Sequence, residues 1–163
     1  MLKGSMANMR IIGTTLNAKY IHTNLALRYL KAYAAPEYNV EIIEYTIKDP
    51  VMNIVTDLYN QKPDVIGFSC YIWNMEEIKK VITILKKINP DIYIVLGGPE
   101  VTYDPFFWLK DIPGADFIVI GEGEATFKNL IAEIDGNKDF KTVQGIAYLE
   151  GEKPILTPAA PKV

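Results

Sequence analysis

Cysteine and histidine are almost missing from this chain of 163 residues: Cys70 is the single cysteine and His22 the single histidine. One cysteine cannot close an internal disulfide, which suits a reducing compartment, and it cannot supply a thiolate-rich metal centre. An excess of positive charge is missing too. The 17 Lys and Arg stand against 20 Asp and Glu, for a net charge of −3, so no basic field meets a polyphosphate backbone and nucleic acid is not an expected partner. No apolar run reaches the roughly twenty residues of a spanning helix, and the N-terminus lacks the basic, apolar and small-residue order of a signal peptide. The expectation is a cytoplasmic protein without a membrane partner.

What is present is ordinary globular material, 49% apolar and 23% charged, enough for one α/β domain with a buried core. Residues 1–8, with Met1, Met6 and a further methionine at Met9, read as cloning-derived or disordered sequence ahead of a native start. Five β-like runs then recur at intervals of roughly 25 to 30 residues, each followed by a helix-like segment, the rhythm of repeated βα units. They cover 9–14, 40–46, 65–69, 92–97 and 115–120, and their near-continuous aliphatics fit strands covered on both faces. Asn74 with Glu77 reads as a capping box before a stripe of Ile78, Val81, Ile82, Leu85 and Ile88. Asp49 before Pro50 and Asp104 before Pro105 read as caps ahead of a first-turn proline. Phe127, Leu130, Ile131 and Ile134 form the stripe of the last helix, with Gly136 at its end. The predicted architecture is a three-layer, doubly wound, parallel five-stranded sheet, flavodoxin-like or Rossmann-like, over 9–140. A C-terminal β-hairpin follows in 141–157, and 158–163 reads as a linker.

Open sheets of this kind bind ligands outside the carboxyl ends of their strands. After the first run come Gly13, Thr14, Thr15 and a polar stretch with Asn17, Tyr20 and His22, about ten residues where a βα turn needs about two to six. The third run ends at Ser69, Cys70 and Tyr71, the fourth at Gly97, Gly98, Pro99 and Glu100, the fifth at Gly121, Glu122 and Gly123. Glycine at a strand end lets backbone approach a ligand closely, and Ser69 adds a hydroxyl, so this edge suits a large, flat or phosphate-bearing molecule. Turn geometry alone also explains glycines at strand ends. Glu100, Asp104, Glu122 and Glu124 make an acidic, solvated rim near the same edge, and Cys70 reads as a buried bystander.

At these residues the chain resembles the cobalamin-binding domains that precede the catalytic module of many radical S-adenosylmethionine (SAM) enzymes, the group that includes magnesium-protoporphyrin monomethyl ester cyclases. The blocks carrying the resemblance run from Asn17 to His22 and Leu25 to Leu30, then Asp64 to Ser69, Gly97 to Val101 and Asp116 to Glu124. The resemblance implies cobalamin as cofactor, the corrin ring over the strand ends and the nucleotide tail beside the first strand, with Ser69, Gly97 and Gly98 lining the tail. In the family's Asp-x-His-x-x-Gly loop the histidine binds cobalt and the aspartate orients it. Here His22 keeps the histidine place, but Tyr20 stands for the aspartate and Leu25 for the glycine. His22 is therefore a candidate cobalt ligand, with a capping or packing role as the alternative. Tyr71 stands where the family commonly has leucine. The parent's [4Fe–4S] cluster needs a Cys-x-x-x-Cys-x-x-Cys run; one cysteine cannot hold it, so the cluster, SAM and the radical chemistry belong to a module outside this sequence.

Other readings share the fold. A phosphoacceptor receiver needs an acidic pair after the first strand, an aspartate after the third and a lysine after the fifth, where this chain has Thr14 and Thr15, Ser69 and Gly121. A flavin binder could draw on Thr14, Thr15, Asn17 and Thr23 for phosphate and on Tyr71 or Trp73 for stacking. A dinucleotide site would put its glycines after the first strand. A docking domain whose site has decayed is the reading without a cofactor.

Overall fold

The computed structural model describes residues 9–18 and 24–161. Seven strands form one sheet in the order β2-β1-β3-β4-β5-β6-β7. The first five are β1 (Ile11–Asn17), β2 (Val40–Thr46), β3 (Val65–Ser69), β4 (Tyr93–Gly97) and β5 (Phe117–Val119), all parallel to their neighbours. Chain order reverses at β1, whose neighbours are β2 and β3, so the C-terminal end of β1–β3 is the switch point where such sheets place ligands. The hairpin β6 (Ile146–Glu150) and β7 (Lys153–Leu156) does not stand apart. Its β6 pairs antiparallel with β5, so the predicted five-stranded sheet is a seven-stranded mixed one.

Helices cover both faces. One carries α2 (Val51–Asn60), α3 (Met75–Ile88), α4 (Pro99–Thr102) and α5 (Pro105–Asp111). These pack Ile54, Leu58, Ile78, Ile82 and Leu85 onto Ile12, Leu16, Ile66, Phe68, Ile94 and Leu96 of the strands. The other face carries α1 (Leu25–Ala34) and α6 (Glu124–Asp135), which close over Ile11, Val65, Val95, Phe117 and Val119. The α6 stripe Phe127, Leu130, Ile131 and Ile134 is buried as its period predicts, and Gly136 caps it. Lys128 of α6 pairs with Glu37 at 3.0 Å, tying α6 to the turn after α1.

Several local expectations fail. β1 continues to Asn17, so the long first loop is shorter than its polar sequence implies: Thr14 and Thr15 are buried and donate to the carbonyls of Ile43 and Ser69, which lets polar residues stay in a central strand. Asn74 precedes α3 but makes no capping hydrogen bond, because its side chain is bonded to the strand ends. Asp49 does not cap α2 either. That helix starts after Pro50 without a side-chain cap, and Asp49 accepts instead from Thr46 N at 2.8 Å. Asp104 behaves as predicted, accepting from Phe107 N with Pro105 at the first helical position. Ile88, predicted on the buried stripe, is exposed. Pro158, read as the start of a linker, still accepts from Gly145 N at 2.8 Å.

Candidate functional site

Successive strand residues alternate between faces, and on the α1/α6 face they shrink toward the carboxyl end. The order is Val65, Gly67, Ser69 in β3 and Tyr93, Val95, Gly97 in β4. A β-carbon added to Gly67 would stand 3.1 Å from the Phe127 ring of α6, and one at Gly13 would stand 3.2 Å from Leu27 of α1. The helices are therefore held close over the middle of the strands, while the small residues beyond leave a gap. The gap is a cleft of about 500 Å³, within the range of small-molecule sites. Ala26, Leu27 and Leu30 of α1 form one wall and Phe127 of α6 the other. Gly67, Val95 and Val119 form the floor, and Ser69, Tyr71, Gly97, Gly98, Pro99, Tyr103, Gly121, Glu122 and Gly123 surround the mouth. The lining is mainly apolar, with the Ser69 and Tyr71 hydroxyls among its few polar groups.

Gly98 shapes this mouth most directly. Its φ is +107°, and a β-carbon there would lie 2.5 Å from the carbonyl oxygen of Cys70; no L side chain fits. Cys70 N donates to Gly97 O at 2.8 Å, so the ends of β3 and β4 stay in register past the sheet. Asn74 is the buried hub of the neighbouring loops. Its Nδ2 donates to Leu16 O at 3.1 Å, to Ser69 O at 3.3 Å and to Thr15 Oγ1 at 3.3 Å, while its Oδ1 accepts from Tyr71 N at 2.9 Å. One side chain thus ties β1 to β3 at the switch point. Sequence reasoning took Asn74 for a cap, and only its full burial reveals the other role.

Of the residues predicted to bind a cofactor, Ser69, Tyr71, Gly97, Gly98, Pro99, Gly121, Glu122 and Gly123 meet at the cleft. Others do not join them. Thr14 is buried and bonded to Ile43 O at 2.6 Å. Asn17 donates to Glu44 at 3.2 Å. Cys70 is fully buried behind the mouth, and burial pushes its thiol up to about 12, so it stays protonated and unreactive at neutral pH. Glu100 sits half-buried on α4 outside the lining. Tyr20 and His22 lie outside the described residues, as does Thr23. The walls on α1 and the floor residues went unpredicted, although the shrinking series along β3 and β4 was a signal in the sequence. Among the described residues, no three of His, Cys, Asp and Glu come together as a metal site, and no helix is long and apolar enough to cross a membrane.

Comparison with known proteins decides the family. The model of the B12 binding domain matches residues 11–131. This chain belongs to the B12-binding domain family. It is 30% identical over 155 residues to an uncharacterized methyltransferase of Pyrococcus horikoshii, covering 94% of this chain and 32% of that protein. It is 28% identical over 150 residues to the cobalamin-dependent radical SAM methyltransferase TokK of Streptomyces tokunonensis, covering 89% of this chain and 22% of that one. The chain thus spans about a third or less of the length of these relatives. Among solved structures, the cobalamin-dependent SAM radical enzyme OxsB with aqua-cobalamin superposes with a TM-score of 0.79 at 20% identity, over 95% of this chain and 23% of that one. The radical SAM methyltransferase TsrM of Kitasatospora setae superposes with a TM-score of 0.77 at 19% identity, over 95% and 30%.

The residues present fit a B12 cofactor. A β-carbon at Gly121 would enter open space at the mouth, the cleft has room for a flat group, and its lining is apolar with hydroxyls at the rim. The flavin alternative loses two of its four named donors. Thr14 and Thr15 use their hydroxyls on backbone carbonyls, and Tyr71 and Trp73 stack on each other, with centroids 4.6 Å apart and planes 3° apart, which takes up one face of each ring.

Proposed function

We propose that this chain holds cobalamin at the C-terminal edge of its sheet, with the nucleotide tail in the α1/α6 cleft and the corrin over the strand ends, as the cofactor-holding part of a radical SAM enzyme. The observation carrying this reading is the graded floor. On the α1/α6 face β3 and β4 narrow to Ser69 and Gly97, Gly121 follows β5, and the opening they leave lies at the carboxyl edge of the sheet. Ser69, Gly97 and Gly98 lie against the tail, and Gly121 and Gly123 let backbone approach the ring. Cobalamin, when bound, supplies cobalt-centred group-transfer chemistry; this chain binds it, orients it and shields its tail from water. The [4Fe–4S] cluster and SAM sit in a further module, since Cys70 is the only thiol here. That module acts on a substrate by methylation, cyclisation or rearrangement, in a cytoplasmic setting, with neither membrane nor nucleic acid as partner.

Adding hydroxocobalamin to the protein without oxygen, removing free corrinoid by gel filtration and recording the visible spectrum tests the reading. Coloured protein is expected, and colourless protein overturns it. His22→Ala is run alongside: a changed spectrum makes His22 a cobalt ligand, and an unchanged one leaves it a packing residue.

A further inference from the structure

The first turns of α1, which form one wall of the cleft, are held by little apolar packing. Of the helix's residues only Leu27 and Ala34 are buried, and Ala34 lies at the far end. Polar bonds at Asn24 do the rest, and each of its three groups goes to a different element. Its backbone N donates to Glu44 Oε1 of β2 at 3.1 Å. Its Oδ1 accepts from Leu27 N at 3.0 Å and caps α1, which settles the orientation of the amide. Nδ2 is thereby the donor to the Tyr71 hydroxyl, 3.2 Å away in the loop after β3. Both outer partners are themselves fixed. The Glu44 side chain, 13% exposed, also accepts from Asn17 Nδ2 of β1 at 3.2 Å. Tyr71 gives its backbone N to the buried Asn74 and stacks its ring on Trp73. A helix cap needs one of these three bonds; the other two tie the start of the wall to β2 and to the loop after β3, the strands on either side of β1.

We propose that Asn24 is a positioning residue: by tying the first turn of α1 to Tyr71 it sets the width of the cleft mouth, and with it the fit of the cofactor's nucleotide tail. The inference rests on the reading that the cleft takes the tail. Asn24 lies outside the lining, whereas Ala26, Leu27, Leu30 and Tyr71 belong to it, so Asn24 acts through them. A gap of about 0.5–1 Å forfeits roughly a quarter to a half of a van der Waals contact, so a wall loosened at its first turn grips a ligand less well along its length. Tyr71, where the family commonly has leucine, supplies the acceptor that the brace needs.

Asn24→Ser separates capping from bracing, since serine caps a helix about as well as asparagine but does not reach Tyr71. Asn24→Ala loses both. Equilibrium dialysis measures affinity for hydroxocobalamin and for diaquacobinamide, which lacks the nucleotide tail, and urea unfolding is followed alongside. Cobalamin affinity is expected to fall about fivefold to tenfold in both variants, as for one hydrogen bond, with cobinamide affinity unchanged; Asn24→Ala should lower the urea midpoint clearly more than Asn24→Ser. Asn24→Ser with Tyr71→Phe should lose no more than Tyr71→Phe alone, because the two residues share the bond. Serine that restores cobalamin affinity together with stability makes Asn24 a cap and overturns the inference, as do equal losses for the two corrinoids or additive losses in the double variant. A wild-type protein that retains neither corrinoid overturns the functional reading instead. One that binds both equally takes the tail out of the cleft, and the inference falls with it.

Discussion

The two faces of this sheet are built from the same strands and end differently. On the α2/α3/α5 face the side chains of β3 and β4 stay large to the carboxyl end: Ile66 then Phe68, Ile94 then Leu96, all buried. On the α1/α6 face the same two strands dwindle to Ser69 and Gly97. The period of two residues makes this possible, since each face can be specified without disturbing the other. One face therefore stabilises the fold, and the other gives up contact area near its end to leave a cleft. A stability cost and a ligand site are the same feature seen from two sides.

Large-to-small substitutions should separate the faces most clearly. Leu85→Ala removes a fully buried side chain from α3 and should cost about 2–5 kcal/mol, the usual range for a core cavity. Leu30→Ala, on the cleft wall of α1, should cost about 1 kcal/mol, because part of its side chain already faces open space. Urea unfolding of both variants measures the difference; equal losses would mean that the cleft closes when empty and that the comparison fails. Next in size is Gly98→Ala. A β-carbon 2.5 Å from a backbone oxygen, at a φ of +107°, should cost about 3 kcal/mol from strain and displacement together. The same unfolding experiment checks it, and a cost under about 1 kcal/mol would show that the β3 and β4 ends can separate freely.

Legibility in the sequence followed the same division. β2 and β3 occupy the residues predicted for them, 40–46 and 65–69, because uninterrupted aliphatics bounded by polar turns leave few alternatives. β1 was cut short at Thr14, since a threonine that bonds a neighbouring carbonyl looks in sequence like one that faces water. Asn74 was misread for the same reason: an asparagine ahead of a helix has two uses, and only burial tells them apart. At the site, the glycines of three strand ends were legible because they sit where the fold puts ligands. The walls were not. Leu27, Leu30 and Phe127 are ordinary helix residues by type, and they become a site only because the residues opposite them are small. That is a relation between distant positions, and no local motif carries it.

A milder change sharpens the contrast without breaking the fold. Gly67→Val puts a branched side chain on the cleft floor, where even a β-carbon would stand 3.1 Å from the Phe127 ring. A modest stability loss of about 1–2 kcal/mol is expected as α6 shifts, with retained corrinoid in the gel-filtration assay falling far more than stability does. If Gly67→Val holds cobalamin as the wild type does, the tail does not reach this floor.

The smallest effect at neutral pH belongs to Cys70, which lies between the faces behind the cleft mouth. Its thiol is pushed from 9.0 up to about 12, chiefly by burial and further by the nearby Glu100 charge, against a backbone hydrogen bond that acts the other way. The native state therefore favours the protonated thiol more than the unfolded chain does. That contribution is complete below about pH 9 and is lost as pH rises toward about 12. Cys70→Ala should change stability at pH 7 only by its packing, and it should flatten the alkaline fall. Tyrosines whose hydroxyls are also raised, half-buried Tyr93 and buried Tyr148 among them, keep part of that fall in the variant. Stability measured from pH 7 to 11 in both proteins tests this, and parallel curves would mean that Cys70 ionises through local opening of the β3–β4 ends. Iodoacetamide gives a second view of the same opening. Native protein at pH 8 should alkylate far more slowly than unfolded protein, and rapid native labelling would place the motion at the strand ends that line the cleft.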